Sequence, residues 1–299
     1  MNAKAWISAA RPRTLPLALA SIGMGSFLAA SVGAFSFRVF LLCAFTTIFL
    51  QVLSNLANDY GDTVHGADSQ ERQGPKRAVQ AGLISARQMR AAMILFALLS
   101  LFTGVWLLYE ALKDASAQTI GLFFGLGLCA IGAAVTYTAG KRPYGYAGLG
   151  DVSVLLFFGL LGVLGTYYLH TKSISPVLAL PALSCGFFAT AVLNVNNIRD
   201  IDSDRKAGKK SIPVRLGREA AVRYHWLLLG AGLLCAVTYV ALTYASPWQL
   251  LFLVTLPLLA RNALAVKKKR TAPELDPYLK QMALTTLLFV LTFGLGQLL

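Results

Sequence analysis

Two stretches of this 299-residue chain set oxygen-bearing side chains four residues apart. In NDYGDTVHGAD, residues 58–68, Asn58 and Asp62 are so spaced, with Asp59 beside them and Asp68 following. In NNIRDIDSDRKAGKKS, residues 196–211, the column is Asn196, Asp200 and Asp204, while Asp202 points off that face. Residues four apart share one face of a helix, so each stretch can present a row of oxygen ligands. A glycine and a basic cluster follow each: Gly66 then GPKR at 74–77, and GKKS from Gly208. Carboxylates are hard ligands and select Mg²⁺ or Ca²⁺. Mg²⁺ typically takes one or two carboxylates and lets phosphate oxygens complete its shell. The neighbouring Lys and Arg side chains can then hold the remaining phosphate charge. The two carboxylate clusters are therefore candidate sites for such a cation.

The elements that carry these acids are apolar. Hydrophobic residues make up 56% of the chain and charged residues only 13%, and the mean hydropathy is +0.62. A soluble domain carries about 25% charged residues, and a membrane-crossing helix needs about 20 mostly apolar ones. Segments 91–109, 173–198 and 226–260 hold no charge at all. The text predicts nine membrane helices, at about 14–34, 38–58, 88–109, 118–138, 148–168, 174–197, 222–244, 247–266 and 279–298. On that count 24 of the 27 Lys and Arg fall on one side; only Arg38, Lys113 and Lys172 fall on the other. Basic loops stay in the cytoplasm, so the N-terminus and both acidic motifs are expected there.

The net charge of +14 then reflects topology and attraction to anionic lipid, not nucleic acid. The patch KKKR at 267–270 reads as a headgroup contact. The first helix is span-length and serves as its own signal, with no cleavable leader. Cys43, Cys129, Cys185 and Cys235 are widely spaced inside apolar segments; they make no metal pattern and no disulfide is expected. His170 and His225 stand at helix ends and read as interfacial, and His65 as a loop histidine.

Both motifs end an even-numbered helix, the second and the sixth. The expected architecture is a single all-α membrane domain over 1–299, built of two pseudo-repeated four-helix units plus one helix. An apolar cavity between the halves is capped by loops at about 59–87 and 199–221. Acids, basic residues and an apolar tunnel together fit a lipid diphosphate. An allylic diphosphate ionises when its leaving group is neutralised, and a dry, aromatic-lined cavity favours capture of the carbocation by a nucleophile over hydrolysis. A lipid-phosphate transporter or flippase is the rival of another class, but its acids belong near the bilayer centre. Asp151 opens an otherwise uncharged span; an intramembrane acid is a functional candidate, either orienting an acceptor or tied to Arg142.

The two motifs resemble the aspartate-rich motifs of the UbiA superfamily of intramembrane prenyltransferases. RPRTLPLALA at 11–20, LSNLANDYGD at 53–62, YTAGKRPYGYAGLGD at 137–151 and AVLNVNNIRDIDSDR at 191–205 are similar to its naphthoate-prenylating bacterial branch. The resemblance implies a Mg²⁺-dependent transfer of a polyprenyl group, octaprenyl by analogy, from polyprenyl diphosphate to 1,4-dihydroxy-2-naphthoate. Prenylation at the ring carbon bearing the carboxylate, with loss of CO₂, gives demethylmenaquinone; 4-hydroxybenzoate is the alternative acceptor within the superfamily. It also implies metal ligation by Asp59, Asp62, Asp68, Asp200 and Asp204, catalytic roles for Asp62, Asp200, Asp204 and Tyr137, and diphosphate contacts from Arg77, Lys141, Arg142, Lys209, Asn58 and Asn196. Many members place the last acid of the first motif four residues after the middle one; here Gly66 stands there and Asp68 comes two later.

Overall fold

Length, apolar composition and capping residues fix where the helices begin and end. The computed structural model describes residues 3–64 and 77–299; Asp68 and His65 lie outside them. Among the described residues every regular element is helical. Nine helices are long and apolar enough to span a bilayer: Ala3–Ser31, Phe37–Val64, Ala86–Leu112, Ala117–Thr136, Gly150–Thr171, Pro176–Arg199, Arg218–Thr243, Pro247–Lys268 and Ala272–Leu298. They match the expected nine in order and number. Start signals are plain at several. Ser85 and Gln88 form a capping box before the third span, Ser116 caps the fourth, and Ser246 with Gln249 opens the eighth. Such caps satisfy backbone donors that a helix start leaves free.

The second span runs further than its apolar text suggests. It holds 28 residues, Phe37–Val64, about 42 Å at 1.5 Å per residue, against a hydrocarbon core of about 30 Å. Its last two turns therefore stand beyond the oil, and they carry Asn58 and Asp62. The expected first cap loop therefore does not begin at 59, because helix continues through Val64. The second is also partly helical, over Ile201–Lys206 and Ile212–Leu216.

Packing is uneven along the chain. The main core gathers the first, fifth, sixth, seventh, eighth and ninth spans around Phe188, Phe252, Phe289 and Phe293, all fully buried. Phe289 meets Phe188 and Phe252 edge-on, at 4.8 and 5.5 Å between ring centres. Small residues let the fifth and sixth spans touch: a side chain on Gly159 would meet the Ala182 carbonyl and the Gly186 Cα, each at 2.9 Å. Close helix crossings in membranes use such positions. The fifth span is π-helical over Leu155–Gly165, a geometry that gathers at functional sites. The fourth span buries no residue, because its inner side faces a cavity instead of a core. His170 and His225 are not interfacial. His170 is buried between Ser26 and the Ser36 N–H, and His225 is bonded to Asn262 Oδ1 at 2.9 Å.

Candidate active site

The end of the second span decides the first half of the site. Asn58 and Asp62 lie one turn apart on its inner face and both line the cavity. Asn58 Oδ1 accepts from the Thr138 hydroxyl at 2.8 Å. Asp62 is almost wholly buried. Its Oδ1 accepts from the Tyr146 hydroxyl at 2.8 Å and lies 3.1 Å from Lys209 Nζ, and its Oδ2 is paired with Arg77. Asp59 turns away. Its two oxygens accept the Ala78 and Val79 N–H groups, each at 3.0 Å, so it anchors the turn that delivers Arg77. That corrects its expected place among the metal ligands: both oxygens are committed to backbone, and it does not line the cavity.

The sixth span supplies the second half. The helix breaks at Asp200 (φ −101°, ψ 11°), and a short helix, Ile201–Lys206, carries Asp204. Asp204 N–H donates to the Asp200 carbonyl at 2.8 Å. Gly208 then takes φ +73°, a left-handed conformation that glycine adopts without strain. The chain reverses there, and Lys209 swings back to lie 3.5 Å from Asp204 as well as against Asp62. One ammonium thus bridges the two motifs, with the Tyr146 ring 5.0 Å beneath it. Lys210 N–H donates to the Tyr146 carbonyl at 2.9 Å, joining the 137–149 loop to this one.

Asp200 is gripped by Arg199. The guanidinium places Nε and Nη2 2.8 and 2.7 Å from the two Asp200 oxygens, Nη2 2.9 Å from Asn196 Oδ1, and Nη1 2.6 Å from Asp276. A planar fork of this kind fixes direction as well as charge. Asp202 is exposed and lies 3.7 Å from Arg205.

Electrostatics follow from this crowding. Burial first, with Asp200 and Asp62 adding to it and Lys209 opposing, pushes the Asp204 carboxyl up to about 6. Burial, then the Asp62 charge and its hydrogen bond, push the Tyr146 phenol above its usual range, so it remains a donor. Burial, then Asp151, raise Tyr137 likewise. Tyr137 stands at the end of the fourth span, edge-on to Tyr144 at 5.3 Å, with its hydroxyl beside Gly150.

These groups stand at one end of a cavity of about 450 Å³, within the range of small-molecule sites. Asp62, Asp200, Asp204, Lys209, Asn58 and Asn196 line that end; Leu50, Leu101, Leu108, Phe123, Phe157 and Leu169 line the rest. Lys141 and Arg142, expected at the diphosphate, are exposed and stand outside the lining. The turn after the fourth span faces them outward and sends Tyr146 in instead. Tyr146 and Arg199 are the residues that sequence reasoning missed. Both sat inside the quoted motifs, but nothing in their spacing marked them.

The acids fit a divalent cation. Asp62, Asp200 and Asp204 line one end of the cavity, and carboxylate oxygens are the hard ligands that Mg²⁺ takes. Among the described residues no three His, Cys, Asp or Glu stand close enough together to hold an ion by themselves.

A family model described as the UbiA prenyltransferase family matches residues 18–295. The chain is 49% identical to a 1,4-dihydroxy-2-naphthoate octaprenyltransferase of Haemophilus influenzae, over 99% of this chain and 96% of that protein. It is 46% identical to the protein of that name from Escherichia coli, over 98% and 96%. A UbiA homologue from Archaeoglobus fulgidus, solved with DMAPP and Mg²⁺, superposes with a TM-score of 0.66 at 18% identity, covering 98% of this chain and 99% of that one; it shares the fold. With a family match across nearly its whole length, and with both acidic motifs meeting over one cavity, the chain is a member of the UbiA prenyltransferase family.

Proposed function

We propose that the protein transfers a polyprenyl group, of octaprenyl length by its relatives' names, from its diphosphate to 1,4-dihydroxy-2-naphthoate. The carboxylate is lost as CO₂ and demethylmenaquinol, the reduced form of demethylmenaquinone, is formed. The observation that carries the reading is Lys209 bridging Asp62 and Asp204 at the mouth of an apolar cavity. Two motifs 138 residues apart at Asp62 and Asp200 converge where a diphosphate headgroup meets its tail. The names of relatives 49% and 46% identical over nearly the full length support the acceptor.

The chain's own residues divide the work. Asp62, Asp200 and Asp204 would hold Mg²⁺, which supplies charge neutralisation of the leaving diphosphate. The A. fulgidus neighbour, bound to DMAPP and Mg²⁺, supports that role; Asp68 is a further candidate from sequence. Lys209 and Arg77 shift their donors from Asp62 to diphosphate oxygens and stabilise the charge that develops on departure. Asn58 and Asn196 offer amide groups on the same wall. Phe123, Phe157 and Tyr137 line the cavity, and aromatic rings there favour a carbocation over water. The Leu-rich remainder takes the tail. The distribution of Lys and Arg orients this end, and the N-terminus, toward the cytoplasm of a bacterial inner membrane.

The test is prenyl transfer by purified protein in detergent with 1,4-dihydroxy-2-naphthoate, polyprenyl diphosphate and Mg²⁺. EDTA, Asp62→Ala and Asp200→Ala serve as controls and 4-hydroxybenzoate competes. Mg²⁺-dependent demethylmenaquinone, lost in both variants, is the expected result. Transfer only to 4-hydroxybenzoate would retain the mechanism and discard the acceptor.

A further inference from the structure

Among the described residues four carboxylates line the cavity, and three are held by cations. Asp62 has Arg77 and Lys209, Asp200 has Arg199, and Asp204 has Lys209. Asp151 has none. It is the second residue of the fifth span, 7% exposed, and neither of its oxygens has a hydrogen-bond partner. Arg142, the tie that sequence suggested, is exposed and makes no hydrogen bond to it. The surrounding phenols do not fill the gap: the Tyr144 hydroxyl is bonded to Ser153 Oγ and the Ala133 carbonyl, each at 3.0 Å, the Tyr137 hydroxyl lies beside the Gly150 backbone, and Tyr224 of the seventh span, close enough to feel the Asp151 charge, makes no hydrogen bond to it. A buried carboxyl without a donor is costly, and a ligand that brings one removes the cost.

The cavity also has a sense of direction. Lys209 and Arg77 stand at the diphosphate end and Asp151 stands apart from them, beyond Tyr137. An acceptor bearing both a carboxylate and hydroxyls is pulled by its carboxylate toward the cations and presents a hydroxyl to Asp151.

We propose that Asp151 is a catalytic residue that takes the proton from the acceptor hydroxyl next to the carboxylate-bearing carbon, and later returns it. This rests on the naphthoate reading above. As the O–H bond breaks, its electron pair forms the C=O bond. The ring π pair forms the new bond to the allylic carbon, and diphosphate leaves with the C–O pair. The product of that step is a β-keto acid. Its bond to the carboxylate then breaks, CO₂ departs, and the freed pair restores the aromatic enolate. Asp151 returns the proton to that oxygen. The ring stays at the quinol level and no oxidant is consumed.

The full-length enzyme with Mg²⁺, farnesyl diphosphate and 1,4-dihydroxy-2-naphthoate is compared with Asp151→Asn. General-base loss is expected to lower kcat about 10²–10⁴-fold, leave KM for the diphosphate unchanged, and abolish the acid limb of the kcat–pH profile. Asp151→Glu should recover part of the rate with that limb restored. An Asp151→Asn enzyme with wild-type kcat, or with a reduced kcat that keeps the limb, overturns the proposal. Should that variant not fold, the wild type is offered the acceptor methylated on the same hydroxyl. Prenylation of it at the normal rate overturns the proposal, and loss with retained turnover of the 4-O-methyl isomer supports it. A wild type inactive on dihydroxynaphthoate overturns the acceptor reading itself, before any variant is made.

Discussion

Gly61→Ala isolates how the two halves of the site are held together. Gly61 precedes Asp62 and lies against the 137–149 loop. A Cβ there would sit 2.6 Å from the Thr138 carbonyl carbon and 2.9 Å from the Ala139 nitrogen. Both are backbone atoms, so no side-chain rotation relieves the clash. Bringing the carbonyl carbon out to ordinary contact at 3.4 Å opens the gap by about 0.8 Å. The Asn58–Thr138 hydrogen bond, 2.8 Å now, crosses that seam and would be stretched beyond useful length. Overpacking of this kind costs about 1–3 kcal/mol of stability. Misplacing a reacting group by nearly 1 Å lowers kcat on the order of 10²-fold, or about 2.7 kcal/mol. The assay is Mg²⁺-dependent prenyl transfer at saturating substrates, alongside the melting temperature in detergent. Gly125→Ala is the control, since a Cβ there meets nothing within 4 Å and alanine favours a helix. A Gly61→Ala protein with wild-type kcat would refute the claim that this seam sets the position of Asp62.

Arg199→Lys keeps the charge but loses the fork on Asp200, Asn196 and Asp276; kcat should fall about 10–100-fold, and wild-type turnover would show that Asp200 needs no such grip. Lys141→Ala and Arg142→Ala should each change kcat/KM by less than about fivefold, the scale of an exposed charge; a larger loss would place them at the diphosphate after all. The raised Asp204 carboxyl makes a pH prediction. Its contribution to metal-free stability is fully present below its unfolded value, and is lost as pH rises through about 6. Mg²⁺ requires the ionised form, so the Mg²⁺-induced rise in melting temperature should be small near pH 5 and level off above about 7; a pH-independent rise would remove Asp204 from the metal's ligands.

The sequence by itself determined nine spans, their order, and the side on which charge gathers, because length and hydropathy are local and a bilayer imposes a fixed thickness. It also marked Asn58, Asp62, Asp200 and Asp204, which the fold brings to one cavity, because an i, i+4 column of oxygen side chains at the end of an apolar run stands out. The tertiary structure decided what each neighbour does. Asp59 and Asp62 are three apart in sequence and opposite in role, because the helix turns one toward backbone N–H groups and the other toward Lys209. Tyr146 entered the site and Lys141 left it through the path of a single loop, which no periodicity encodes. Asp151 read as ambiguous until packing withheld Arg142 and left its oxygens unpartnered. Contacts between residues 80 and more positions apart depend on how the helices cross, and those crossings rest on close approaches such as Gly61 on Thr138 and Gly159 on Gly186.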